Sequence, residues 1–193
     1  MPTDVFLVRH GEKADAGPGD PGISARGRTK ARGVAELLAP VEPVALYSSP
    51  LKRARETAEV VGRQLGLPVV DDGRLRERAN WGDVLGQSFE EFVKSWQRCA
   101  QDRDYIPPGG ISARQAGERL AAFVVDQARR YPDAAVVGVT HGGVIVDFLL
   151  TVLAAADLAE HNPDYLAMDF CAVTHVRADG GRLELVRLAA TSL

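Results

Sequence analysis

Cysteine is almost missing from this chain: Cys99 and Cys171 are the only two. Two thiols supply neither a disulfide framework nor a four-cysteine zinc site, and both are expected to be free. Aromatic residues are few, at 6%. Neither sign of charge is in excess, since 23 Lys and Arg against 26 Asp and Glu leave a net charge of −3. That balance argues against a body coated for nucleic acid. No long apolar run is present. The most apolar stretch, 144–156, is interrupted by Asp147 and Thr151 and is shorter than the ~20 residues of a membrane span. The first ten residues lack a basic segment followed by an apolar one, so no signal peptide and a cytoplasmic location are expected. There is no internal repeat and no low-complexity tract.

What remains is an ordinary globular composition, 46% hydrophobic and 25% charged over 193 residues. That length suits a single domain, 1–193, with a substantial core. Val5-Phe6-Leu7-Val8 is continuously apolar, the pattern of a strand buried on both faces. A helix is expected over 24–38, with Ala31, Val34, Ala35 and Leu38 on one face. A strand over 44–47 follows, and Ser49-Pro50 reads as an N-cap with proline at the first helical position. Residues 69–70 suit a short strand. Ser88 with Glu91 and Ser112 with Gln115 are capping boxes opening two more helices. Residues 135–140 form another buried strand, and Gly142-Gly143 leads into a helix to about 153. Segments 170–176 and 182–188, flanking Ala178-Asp179-Gly180-Gly181, read as a hairpin. Alternating strands and helices predict a three-layer α/β/α sandwich with a mostly parallel central sheet and an antiparallel edge strand.

The chemistry-bearing residues follow the strands. The first strand ends in Arg9-His10, the second leads to Arg53, and the third buried one ends in Thr140-His141. Open α/β sheets bind ligands beyond the carboxyl ends of their strands. Two Arg and two His, distant in sequence, therefore converge with helix N-termini on one sheet edge and make an anion site. Imidazole is also a nucleophile at neutral pH, so phosphate binding with covalent transfer to His is the chemistry these residues suit.

Five ordered segments resemble the histidine phosphatase (phosphoglycerate mutase-like) superfamily. They are Val8-Arg9-His10-Gly11-Glu12; Ser49-Pro50-Leu51-Lys52-Arg53-Ala54-Arg55-Glu56-Thr57-Ala58; Leu75-Arg76-Glu77; Pro107-Pro108-Gly109-Gly110 with Ser112; and Val139-Thr140-His141-Gly142-Gly143. The resemblance implies a metal-independent phosphomonoesterase acting on a phosphorylated metabolite without a cofactor or metal. In that scheme His10 is the nucleophile, Arg9, Arg53 and His141 hold the phosphoryl oxygens, and Glu77 is the proton donor and acceptor. Such double duty favours a carboxyl that carries a proton near neutral pH.

Two departures argue against a phosphoglycerate mutase. Lys13-Ala14-Asp15-Ala16 stands where the mutases have a Trp-Asn pair, and Gly143 stands where an Asn usually follows the second His-Gly. A protein phosphohistidine phosphatase, a mutase-type phosphotransferase and a non-catalytic phosphate-binding module are the alternative readings. Glu12, Asp83, Glu90 and Glu91 are rivals for the acid. His161 and His175 are read as structural, Trp81 and Trp96 as packing residues. The cluster Arg74, Arg76 and Arg78 is read as a solvated loop face. The expected partner is a small phosphorylated substrate, with a phosphoprotein as the alternative. No nucleic acid or membrane is expected, and a homodimer is the commonest symmetry.

Overall fold

The computed structural model describes residues 1–154, 158, 168–179 and 181–190. Among these residues six strands form one sheet: β1 (Thr3–Arg9), β2 (Ala45–Ser48), β3 (Val69–Asp71), β4 (Ala135–Thr140), β5 (Val173–Asp179) and β6 (Arg182–Ala190). Among the described residues five α-helices accompany them: α1 (Ala25–Leu38), α2 (Lys52–Leu65), α3 (Phe89–Gln101), α4 (Ala113–Arg130) and α5 (Gly142–Val152). The strand order is β3-β2-β4-β1-β5-β6. β1, β2, β3 and β4 run parallel. The hairpin joins antiparallel, β5 against β1 and β6 against β5. It therefore contributes an interior strand as well as the expected antiparallel edge.

Alternation along the strands explains the two-sided burial. Val5, Leu7, Tyr47 and Val136 face one cluster, which α4 and α5 complete with Leu120, Phe123, Ile145 and Phe148. Phe6, Val8, Leu46, Val137 and Val139 face the other, which α1 and α2 complete with Ala31, Val34, Ala54 and Val61. Burying a side chain such as Phe123 or Leu46 is worth roughly 1.5–3 kcal/mol. Both capping boxes form as expected, Ser88 with Glu91 and Ser112 with Gln115. Ser24 caps α1 by accepting from the Gly27 backbone N–H.

The start of α2 differs from expectation. The helix begins at Lys52 after Leu51, not at Pro50 after Ser49. Its first N–H, that of Lys52, donates to the Asp20 carboxylate at 2.8 Å. The cap thus comes from the Gly- and Pro-rich loop 32 residues upstream, and the Ser49 hydroxyl is released for another partner. That loop is pinned at its base by a bridge between Lys13 and Ile23. The register then sets the site: Arg9 pairs with Thr140, and Ser48 with Val139. The carboxyl ends of β1, β2 and β4 lie level, with the residues that follow them on one edge. His161 lies outside the described residues. His175 stacks on Phe6 at 4.4 Å and bonds Asp4 at 2.7 Å, a structural placement.

Candidate active site

His10 leaves β1 with its backbone tied back into the sheet, its N–H donating to the Thr140 carbonyl at 2.9 Å. Its Nδ1 lies 2.8 Å from the Gly11 carbonyl. A carbonyl only accepts, so Nδ1 carries the proton and Nε2 presents a lone pair. Arg53 Nε donates to that lone pair at 3.2 Å. Burial, with Arg53 beside it, pushes the His10 imidazole down to about 3. The ring is therefore neutral near pH 7.

Arg53 comes from the first turn of α2. Its guanidinium also donates to Asn80 Oδ1 at 3.0 Å and lies 3.6 Å from Asp20. Thr57, one turn on, accepts from the Gly11 N–H at 2.9 Å and ties the β1 loop to the same helix. Arg9 lies across the Phe170 ring, 4.2 Å from its centroid, and donates to the Met168 carbonyl. Its Nε is buried without a partner.

His141 ends β4 directly behind His10, the two ring centroids 5.1 Å apart. It is buried and does not reach the cavity wall. Its Nε2 meets the Ser49 hydroxyl at 2.8 Å. That hydroxyl also accepts from the Leu51 N–H at 3.3 Å. The other ring nitrogen, Nδ1, is buried without a partner. Burial holds this imidazole well below the usual histidine range.

Glu77 enters from the loop after β3. Its two oxygens are held apart, Oε1 by the Arg78 N–H and Oε2 by the Gly143 N–H at the start of α5, each at 3.0 Å. The rival carboxylates are engaged elsewhere. Glu12 accepts from Ser24, Asp83 pairs with Arg76, Glu90 with Lys94, and Glu91 caps α3.

Arg9, His10, Arg53 and Glu77 all line one cavity of about 580 Å³, together with Gly142 and Gly143. Four of the five residues singled out in the sequence thus share a wall, and His141 backs it. Of the arginine cluster, Arg74 and Arg76 pair with Asp72 and Asp83 at the surface. Arg78 departs from the solvated reading: it is buried, bonds Asp147 at 2.7 Å and lies 3.6 Å over the Trp96 ring. Burial pushes the Asp147 carboxyl up to about 6, with Arg78 opposing. Trp81 and Trp96 also line the cavity. The sequence gives no site role to Asp147, Asn80 or Ser49. A lone Asp in the apolar stretch 144–156 was the one available signal. Among the described residues, no group of three or more His, Cys, Asp or Glu is arranged to hold a metal ion. No helix among them is long and apolar enough to cross a membrane.

The sequence matches the histidine phosphatase superfamily (branch 1) over residues 5–191. It is 32% identical to PhoE, an uncharacterized phosphatase of Bacillus subtilis, over 80% of this chain and 79% of that protein. It is 31% identical to a metal-independent phosphoserine phosphatase of Arabidopsis thaliana, over 80% of this chain and 70% of that one. The structure resembles that of a mycobacterial glucosyl-3-phosphoglycerate phosphatase with a TM-score of 0.79 at 25% identity, covering 98% of this chain and all of that one. The α/β fold, the family match along nearly the whole length and these relatives agree: the chain belongs to branch 1 of the histidine phosphatase superfamily and is a phosphatase, a hydrolase of phosphoric monoesters.

Proposed function

We propose that the protein hydrolyses a small phosphomonoester through a phosphohistidine intermediate on His10, without a metal. The observation that carries this reading is the state of His10. Its Nδ1–H is anchored on Gly11, its Nε2 lone pair faces Arg53, and the ring is neutral. An imidazole held so needs no base to become a nucleophile.

In the first step Nε2 forms a bond to phosphorus and the bond to the ester oxygen breaks. The departing oxygen takes the proton of the Glu77 carboxyl. In the second step water attacks phosphorus, its proton passes to the Glu77 carboxylate, and the phosphorus–nitrogen bond breaks to release phosphate. Arg53 and Arg9 offset the charge on the phosphoryl oxygens, and Arg53 moves its Nε bond from His10 to one of them. The Nε of Arg9, without a partner in the protein, is a donor of the kind such oxygens satisfy. A concave cavity of about 580 Å³ favours a small ester over a folded phosphoprotein.

The test is phosphate release from 4-nitrophenyl phosphate in the presence of a chelator. Wild-type protein is expected to turn over, with acid-labile phosphate trapped on His10 after a rapid quench. His10→Ala is expected to lose about a thousandfold or more. Full activity in that variant, or activity abolished by the chelator, would refute the scheme.

A further inference from the structure

A phosphoryl group fills only the floor of the cavity. The rest is bounded by α3, whose Phe89, Phe92, Val93 and Trp96 recur at i, i+3, i+4 and i+7. That spacing makes an apolar stripe normally pressed onto a core. Here Cys99 is the one buried residue of the helix, and Phe89 is 57% exposed. The stripe looks into the cavity instead. Trp81 stands 4.8 Å from Phe89, ring to ring, and Phe92 5.7 Å from Trp96. Val146 and Leu150 of α5, with Met168, line the same space.

We propose that this wall is the leaving-group subsite. It takes phosphomonoesters whose alcohol carries a bulky apolar or aromatic body, in preference to polyol and sugar phosphates. The inference rests on the phosphatase reading above and adds the substrate class.

The polar groups of this region support the choice, because most of them already bond within the protein. Arg78 bonds Asp147 and lies flat on Trp96. Arg103 donates to the carbonyls of Asp147 and Leu150 and to Thr151. Asn80 accepts from Arg53 and donates to the carbonyls of Gly19 and Trp81. The Nε atoms of Arg78 and Arg103 have no partner and are buried within the protein. Lys13 interacts with Arg53 and Arg9 and so belongs to the phosphate end. A sugar or polyol entering here gives up water and gains few partners, whereas an apolar body covers aromatic surface.

The experiment compares kcat/KM for n-alkyl phosphates from ethyl to octyl with 1-naphthyl phosphate, glycerol 3-phosphate and glucose 6-phosphate. The n-alkyl alcohols leave with nearly equal ease, so their trend reports burial. Each added methylene is expected to raise kcat/KM about three- to fourfold until the wall is covered. Glycerol 3-phosphate is expected at least about tenfold below the butyl ester. Phe92→Ala is expected to cut the increment per methylene to about twofold. A flat series, or glycerol 3-phosphate or glucose 6-phosphate equal to the butyl ester, overturns this inference alone. No release from any ester, 4-nitrophenyl phosphate included, overturns the phosphatase scheme and this inference with it.

Discussion

At the scale of single residues the site turns on Glu77 and the glycine that holds it. Gly143 donates its N–H to Glu77 Oε2. A Cβ on Gly143 would lie 2.7 Å from the Trp96 ring and 2.8 Å from Glu77 Oε1, contacts that real side chains do not make. The carboxyl and the indole thus occupy the space a side chain would need, a local reason for glycine where the mutases usually carry asparagine. If Glu77 is the acid, its loss should matter in proportion to how badly the leaving group needs a proton. Glu77→Gln is expected to lower kcat by about 10²–10⁴-fold for an alkyl phosphate, and by far less for 4-nitrophenyl phosphate, whose phenolate leaves unaided. Gly143→Ala should follow the same pattern more weakly, because it displaces the carboxyl without removing it. Equal losses on both esters in Glu77→Gln would show that the residue has another role. The five motif residues were legible because each follows a strand end or opens a helix, where sequence fixes position. The identity of their neighbours was not. Ser49 reads locally as a helix cap, and only the fold reveals that Asp20 has that task while Ser49 meets His141.

At the scale of elements, α5 joins the site to the core. Its N-terminus supplies the Gly143 N–H, and one turn later it presents Asp147 to Arg78 at 2.7 Å. Arg78 adjoins Glu77, and its own N–H holds Glu77 Oε1. The ion pair therefore ties the loop bearing the acid to the helix that completes its anchorage. α4 lies close against the same turn: a Cβ on Gly117 would meet Thr151 Oγ1 at 2.2 Å and the Asp147 carbonyl at 2.3 Å. Removing one partner of a buried pair leaves the other charge uncompensated, a loss of about 3–5 kcal/mol. Asp147→Ala is expected to destabilise by about that amount in urea unfolding, with a lower kcat for alkyl phosphates as the Glu77 loop loosens. A cost under about 1 kcal/mol would place the pair among weak, solvent-screened contacts. The helices, the parallel strands and the hairpin were legible in the sequence because hydrophobic period and capping are local. The pairing of Arg78 with Asp147 spans 69 residues, and an arginine in an arginine-rich loop reads as a surface group. Likewise the stripe on α3 reads as a core-facing side, since spacing alone does not distinguish a core from a cavity.

At the scale of the whole molecule, a chain of net charge −3 encloses a cavity lined by five cations, Arg9, Lys13, Arg53, Arg78 and Arg103, against two carboxylates, Glu77 and Asp147. Burial and that local excess hold two imidazoles neutral, and folding stability must respond to pH accordingly. In the unfolded chain a histidine titrates near 6.5, whereas folded His10 titrates at about 3. Between those values the unfolded state binds the extra proton, so the contribution of His10 is complete above about 6.5 and is lost as pH falls toward 3. His141 acts in the same direction. Asp147 acts oppositely. Its carboxyl moves from 3.8 to about 6 on folding, so its contribution is complete below about 3.8 and is lost as pH rises through 6. Two imidazoles outweigh one carboxyl. Stability is expected to fall as pH drops below about 6.5. His10→Ala removes one imidazole, so its urea midpoint should fall less steeply with pH than that of the wild type below about 6.5. Asp147→Asn removes the opposing group and should steepen the fall. An equally steep decline in wild type and His10→Ala would mean that the buried imidazole is not held neutral, and the nucleophile would then need another source of its free lone pair.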